Sequence, residues 1–180
     1  MAGTWVELDL QDIALAAQAA AQVRANAIQA GHSDRVRCGY PVQMDQLVWV
    51  NTLGTCGELA VARFLGVPWQ WARGLDYVPG RADIPSANLE VRTAQGHQRN
   101  LLVRPSDPIS RPFALVTWER GTWFNLAGYL PAHHPRLAEW WSTPSGGPGV
   151  FLVPRSVLQP MEILKEFIRC LTNGGTNCSA

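Results

Sequence analysis

Two acidic residues and an arginine lie close together in the segment RADIPSANLEVRT, residues 81–93. Asp83 precedes a proline, and Glu90 interrupts an apolar run typical of a strand, where an ionised side chain is unusual. Because side chains alternate along a strand, Glu90 and Arg92 are predicted to share one face of a sheet. Carboxylates grouped in this way suit Mg²⁺ or Mn²⁺, which bind through carboxylates, water and substrate phosphates.

A third carboxylate, Glu58, lies in the helical segment GELAVARFLG, after small residues that let other groups approach. Each acid also has a structural interpretation. Glu90 and Arg92 can be a solvated pair on a half-exposed strand, Glu58 a surface residue of its helix, and Asp83 a turn former. Spacing alone leaves both interpretations open.

Two helices are predicted on the N-terminal side of Asp83, and the second of them contains Glu58. Residues 7–31 are rich in alanine and carry apolar residues at helical spacing, with Asp9 or Asp12 near the start. A second helix is predicted over residues 44–65 and ends before Gly66. Two glycines within it, at positions 54 and 57, either break the helix or allow close packing.

Five short apolar runs separated by turn residues follow between residues 88 and 154, and these predict five strands. A last helix is predicted over residues 156–171 with Ser156 as its cap. Helices, then adjacent strands, then a helix indicate an α/β or α+β fold with one mixed central sheet flanked by helices.

Composition limits the classes of protein. A chain of 180 residues with 47% hydrophobic residues predicts one folded domain over residues 1–180, and its net charge of +1 provides no global positive field. Within it we expect an N-terminal helical arm (1–31), a core (44–160) and a mobile tail (172–180). The four cysteines form no CxxC pair, which indicates free thiols in a reducing compartment. Without a signal or spanning stretch, we expect a cytoplasmic protein with no membrane partner.

The order of the acids adds a resemblance to a known family. A glutamate in an early helix, an aspartate before a hairpin and Glu-Val-basic on the next strand resemble the PD-(D/E)XK nuclease superfamily. More narrowly, GTCGELAVARFLG, ADIPSANLEVRT and LLVRPSDP…FALVTW are similar to small phage-encoded members. The resemblance covers residues 54–154 and implies a restriction-endonuclease-like core.

The resemblance also implies roles for single residues. Asp83 and Glu90 would hold Mg²⁺ or Mn²⁺, the Val91 carbonyl would be a further ligand, and Glu58 an outer or additional one. Such a cation lowers the pKa of water and neutralises charge on the phosphate. Arg92 stands where the family has its lysine, and an arginine can clamp phosphate but cannot act as a base.

Basic and aromatic residues around the acids would meet nucleic acid. The candidates are Arg73, Arg81, Arg99, Arg104, Trp69 and Trp71. The arginines form a local positive patch suited to phosphates, and the tryptophans could stack on bases. Alternatively, the arginines are scattered surface charge and the tryptophans belong to the core.

Three functions follow in order of preference. The first is a metal-dependent nuclease that hydrolyses DNA through Asp83, Glu90 and Arg92, in the host cytoplasm if the chain is phage-encoded. The second is a nuclease fold that has lost catalysis and binds nucleic acid or a protein partner, which Arg92 favours. The third is a structural phage protein. The long N-terminal helix fits a homodimerisation arm in all three.

Overall fold

Three α-helices and two β-sheets form the part of the chain that the computed structural model describes, residues 3–29, 44–69, 81–96, 99–143 and 148–172. In chain order they are β1 (Thr4–Glu7), α1 (Leu10–Gln29), α2 (Met44–Leu65), β2 (Glu90–Gln95), β3 (Leu101–Val103), β4 (Phe113–Trp118), β5 (Trp123–Leu130), β6 (Trp141–Ser142), β7 (Val150–Val153) and α3 (Met161–Thr172). The fold is α+β, with a mixed sheet flanked by helices, as the sequence predicted.

The larger sheet has the strand order β1-β5-β4-β2. Strand β5 pairs antiparallel with both β1 and β4, whereas β2 pairs parallel with β4, with Glu90 opposite Phe113. Strand β4 is buried on both faces, because Ala114 and Val116 contact the helices while Phe113 and Leu115 face the other side. This double burial explains the continuous apolar run in the sequence of β4.

The expectation of one sheet containing all five predicted strands is wrong. Strands β3 and β7 pair with each other and with β6 in a separate antiparallel sheet. Leu101 and Val103 of β3 and Val153 of β7 pack on the second face of β4, in a core between the sheets. Apolar runs identify strands, but the second face of β4 has to be covered, and that requirement separates the strands into two layers.

The N-terminal segment is part of the folded body rather than an arm. Strand β1, which the sequence analysis did not predict, forms an edge of the larger sheet, and α1 packs along α2. Helix α1 begins with reciprocal hydrogen bonds in which the Asp9 amide donates to Asp12 (3.0 Å) and the Asp12 amide to Asp9 (2.9 Å). Asp12 also pairs with Arg63 of α2, and the Thr55 hydroxyl donates to the Ala16 carbonyl at 2.9 Å.

Helix α2 runs through both of its glycines and ends as predicted. A Cβ at Gly57 would lie 1.9 Å from the Thr93 Oγ1, so Gly57 lets the helix contact β2 closely, whereas Gly54 faces open space. At the C-terminus, the Gly66 and Val67 amides donate to the Arg63 and Ala62 carbonyls. Gly66 has a φ of 73°, the left-handed conformation that glycine adopts most readily at this position.

The last helix begins later than predicted. Ser156 lies in a 3₁₀ turn, Arg155–Val157, and α3 starts at Met161, directly after Pro160. The proline has no amide proton to donate and therefore precedes the helix rather than lying inside it. Ser156 is not the helix cap.

The cysteines only partly follow the expectation of free thiols. Cys56 is free and buried, but Cys170 is disulfide-bonded, which contradicts the prediction that all four thiols are free. Cys38 and Cys178 lie outside the described residues.

Within those same residues, we find no helix with the length and apolar character needed to cross a membrane. Most of the expected C-terminal tail and part of the N-terminal arm also fall outside them.

Candidate functional site

A tight hairpin brings Asp83 beside the start of β2. Its turn is a 3₁₀ segment, Pro85–Ala87, followed by Asn88 in the left-handed conformation at φ 47°. Proline fixes φ at the start of the turn, and asparagine tolerates positive φ better than most residues. The Ile84 amide donates to the Leu89 carbonyl at 3.0 Å, which closes the hairpin.

Asp83 is tied directly to the strand that carries Glu90. Its Oδ2 accepts a hydrogen bond of 2.7 Å from the Val91 amide. Asp83 Oδ2 and Glu90 Oε2 both face Arg92 Nη1, at 3.9 and 3.5 Å. The hairpin therefore brings the two carboxylates to the same side of β2.

Glu90 and Arg92 lie on one face of β2, as strand alternation predicted, but they are not a solvated surface pair. Glu90 is only 8% exposed. The guanidinium of Arg92 lies 5.3 Å from the centre of the Phe113 ring, on the side of the second sheet. Val91 faces the opposite side and contributes to the core beneath the helices. Burial excludes the solvated-pair interpretation of Glu90.

The guanidinium of Arg92 lies at the centre of a group of oxygens. Its Nη2 binds Asp107 tightly, at 2.9 Å. Its Nη1 is 3.4 Å from the Val91 carbonyl, 3.5 Å from Glu90 Oε2 and 3.9 Å from Asp83 Oδ2. These three distances exceed the usual 2.7–3.2 Å of a hydrogen bond, so Asp107 is the firm anchor of Arg92.

Two residues of this cluster were missed by the sequence analysis. Arg111 binds Glu90 Oε1 through Nη1 at 2.6 Å, and Asp107 binds Arg92. Asp107 is held in place because its carboxylate also accepts the Arg104 amide at 2.8 Å, while Arg136 donates to several carbonyls of the same loop. Both residues are in the loop between β3 and β4. Their signal in the sequence is the neighbouring Pro108 and Pro112, which indicate a turn.

Three carboxylates, of Asp83, Glu90 and Asp107, are held close to the guanidiniums of Arg92 and Arg111. Burial raises the pKa of Asp83 to about 6, and the negative charge of Glu90 adds to this effect. The hydrogen bond from the Val91 amide and the positive charge of Arg92 lower the pKa, but they do not cancel the increase. Burial and the neighbouring carboxylate therefore outweigh the effect of Arg92 on Asp83.

The pKa of Arg92 is also raised by its surroundings. Burial works against the charged guanidinium, but the charge and hydrogen bond of Asp107, with Asp83 and Glu90, outweigh it and raise the pKa of Arg92. The guanidinium is thus held in its charged form inside the cluster.

Glu58 does not join Asp83 and Glu90. Among the described residues, no three His, Cys, Asp or Glu side chains are grouped so that they could hold a metal ion. The reason is the side of β2 on which α2 packs. Gly57 contacts Thr93, which shares the Val91 face, whereas Glu90 and Arg92 are on the other face. Glu58 instead acts on Cys56, whose thiol pKa burial raises to about 11 with the added charges of Asp12 and Glu58.

Asp83, Glu90 and the Val91 carbonyl supply three hard oxygen donors around the position of Arg92 Nη1. Donors of this chemical type are the ones that Mg²⁺ and Mn²⁺ prefer. In this structure the point between them is occupied by the guanidinium of Arg92, so a cation there would have to displace it.

Four of the six residues predicted to bind nucleic acid are described, and these four lie in different places. Trp69 is buried in the core at 5% exposure and cannot stack on bases, which corrects that prediction. Arg99 donates to the Gln95 carbonyl, at the end of β2 far from Asp83. Arg81 is exposed beside the hairpin, and Arg104 lies in the Asp107 loop. Trp71 and Arg73 are outside the described residues.

Comparison with known proteins adds no family to this geometry. No family model matches the chain, and neither a curated protein nor a solved structure does.

Proposed function

We propose that this chain is a divalent-cation-dependent nuclease of the PD-(D/E)XK type that hydrolyses DNA phosphodiester bonds at Asp83 and Glu90. The observation that carries the proposal is the convergence of Asp83 Oδ2, Glu90 Oε2 and the Val91 carbonyl on one point, beside a strand that carries a basic residue. The hydrogen-bonded hairpin holds these oxygens on a rigid element, which a precise ligand set requires.

In this proposal Asp83, Glu90 and the Val91 carbonyl hold Mg²⁺ or Mn²⁺. The bound cation supplies activation of water and neutralisation of phosphate charge. Glu58 has no part in the ligand set, because α2 packs on the other face of β2.

The remaining charged residues bind and orient. Arg92, held by Asp107, clamps a phosphate oxygen and cannot serve as a base, because its guanidinium stays charged. Arg111 fixes the Glu90 carboxylate through its second oxygen, Oε1, which leaves Oε2 directed at the site.

The second candidate is a nuclease fold that has lost catalysis and binds nucleic acid or a protein partner. It is favoured by the position of Arg92, whose Nη1 already supplies a positive charge among the three oxygens. In that case the guanidinium replaces the metal permanently. In the first candidate a cation displaces Arg92 Nη1 from the point between the three oxygens. In the second candidate Arg92 Nη1 stays there.

A cleavage assay separates them. Single- and double-stranded DNA and RNA are incubated with the protein in Mg²⁺, in Mn²⁺ or in EDTA. We expect cation-dependent cleavage of DNA that Asp83→Asn abolishes. Glu139→Gln, at an exposed residue outside the proposed ligand set, is the matched control and should cleave like the wild type.

Substitutions of Arg92 then identify its role. Arg92→Lys should keep or raise the rate, and Arg92→Ala should lower it about 10²- to 10³-fold through loss of one transition-state contact. Cleavage by Arg92→Lys but not by the wild type would establish the second candidate. If no form cleaves and Asp83→Asn changes neither metal nor nucleic-acid binding, both candidates are wrong and a structural role remains.

A further inference from the structure

A basic cavity lies at the far end of the hairpin from the carboxylates. It has a volume of about 410 Å³ and is bounded by the C-terminal end of α2, by α3 and by Ser86 of the hairpin turn. Three cationic side chains line it, those of Arg63, Lys165 and Arg169, and no carboxylate does. In a chain with 15 basic and 14 acidic residues, such a one-sided lining favours an anionic ligand.

Two of the three cations have contacts that position them. Lys165 Nζ lies 4.5 Å from the centre of the Phe64 ring, another residue of the cavity wall, in a cation–π contact. Arg63 pairs with Asp12 of α1, and its side chain is still 45% exposed. Glu162, one turn before Lys165 on α3, accepts a hydrogen bond from Thr4, and this bond and the charge of Lys165 lower its pKa.

The end of α2 is partly capped. Unpaired carbonyls at a helix C-terminus carry partial negative charge. Here the carbonyls of Ala62 and Arg63 accept the amides of Val67 and Gly66, at 3.0 and 3.1 Å. The cap reduces the negative charge of this wall, and the cationic side chains oppose what is left of it.

We infer that this cavity binds phosphate groups of a nucleic-acid backbone, next to the bond presented to Asp83 and Glu90. Ser86, in the cavity wall, is three residues from Asp83, at most about 10 Å along an extended chain. One strand can therefore contact both places within a few nucleotides. The inference rests on the proposed function for its substrate, but its test requires no cleavage.

The test measures binding of a labelled DNA duplex by fluorescence anisotropy in EDTA, over a series of salt concentrations. Lys165→Gln with Arg169→Gln removes two positive charges from the cavity. Arg120→Glu changes the net charge by the same amount from an exposed turn at the opposite end of the sheet. Thermal melting checks that each variant is folded.

Binding that involves the cavity has a defined signature. The double variant should lower the slope of log affinity against log salt by about two, close to 0.9 for each lost contact. Arg120→Glu should leave the slope unchanged. Equal slopes for the double variant and the wild type, or equal effects of the double variant and Arg120→Glu, would overturn the inference.

Two further outcomes also count against it. A wild type that binds no DNA would overturn it, as would one that binds pyrophosphate through Lys165 and Arg169 but no oligonucleotide. Loss of binding in the double variant, in a protein that cleaves nothing, would support the cavity and refute the nuclease. Cleavage that Asp83→Asn abolishes, together with DNA binding that the double variant leaves unchanged, would support the nuclease and refute the role of the cavity.

Discussion

The two faces of strand β2 differ in what holds them together. On the helix side, Val91 belongs to the apolar core, and Thr93 packs against Gly57 with a buried hydroxyl that has no hydrogen-bond partner among the described residues. On the other side, the buried Glu90 and the half-buried Arg92 lie among charges supplied by a later loop. One strand thus carries a surface formed by packing and a surface formed by ion pairs, in alternate residues.

The comparison indicates where function is to be sought. Apolar packing accounts for the helix side without any ligand. Burying five charged groups on the other side is costly, and replacement of such a network by apolar residues is often neutral or stabilising. We therefore attribute the charged face to function, and the following predictions test the two faces separately.

The largest effect on stability should come from Asp107. Asp107→Ala leaves the buried Arg92 guanidinium without its firm partner and the Arg104 amide without its acceptor, which should cost about 3–5 kcal/mol of unfolding free energy. Urea denaturation measures the loss. Asp107→Asn, which keeps an acceptor for the Arg104 amide, should cost less, and equal stability of Asp107→Ala and wild type would mean that the charges are not coupled.

A smaller effect should depend on pH. Because the pKa of Asp83 is raised to about 6 in the folded state, the folded protein binds this proton more tightly than the unfolded chain. Stability from this group is present at low pH and is lost as pH rises from about 4 through 6, by up to about 3 kcal/mol. The difference in unfolding free energy between Asp83→Asn and wild type should therefore shift in favour of the variant across this range, and a difference independent of pH would contradict the account.

On the helix side, the expected effects are those of packing. Gly57→Ala places a Cβ against Thr93 and should cost about 1–2 kcal/mol, net of the better helix propensity of alanine. Gly54→Ala, which faces open space in the same helix, should stabilise by up to about 1 kcal/mol. Thermal unfolding of the pair measures both, and the prediction fails if the two substitutions have the same sign.

The smallest effect concerns the Thr93 hydroxyl. Thr93→Val removes a buried group that has no hydrogen-bond partner and keeps the shape of the side chain, so stability should be unchanged or rise by about 1 kcal/mol. Chemical denaturation at pH 7 provides the measurement. A clear loss of stability would show that the hydroxyl is not a mere packing atom.

The sequence predicted those parts of the site that depend on local geometry. Period-two alternation was enough to put Glu90 and Arg92 on one face, and Asp83 with the proline after it was enough to indicate a turn. The partners Asp107 and Arg111 could not be predicted, because they come from a loop 15 to 21 residues away along the chain. Nothing in the local pattern of that loop specifies which strand it will lie beside.

The fold shows the same limit. Helix ends follow from local rules, as the Asp9–Asp12 hydrogen bonds and Gly66 illustrate. The pairing of β3 with β7 in a second sheet, the burial of Trp69 and the face of β2 on which α2 packs are decided by tertiary contacts. Glu58 was misplaced for this reason.

The central claim is that Asp83, Glu90 and the Val91 carbonyl form a cation site. Titration of the protein with Mn²⁺, followed by electron paramagnetic resonance of the free ion, tests it without any substrate. We predict a single site per chain in the wild type and in Glu139→Gln, and its loss in Asp83→Asn. Wild-type protein that takes up no Mn²⁺, or Asp83→Asn that takes it up equally well, would contradict the claim.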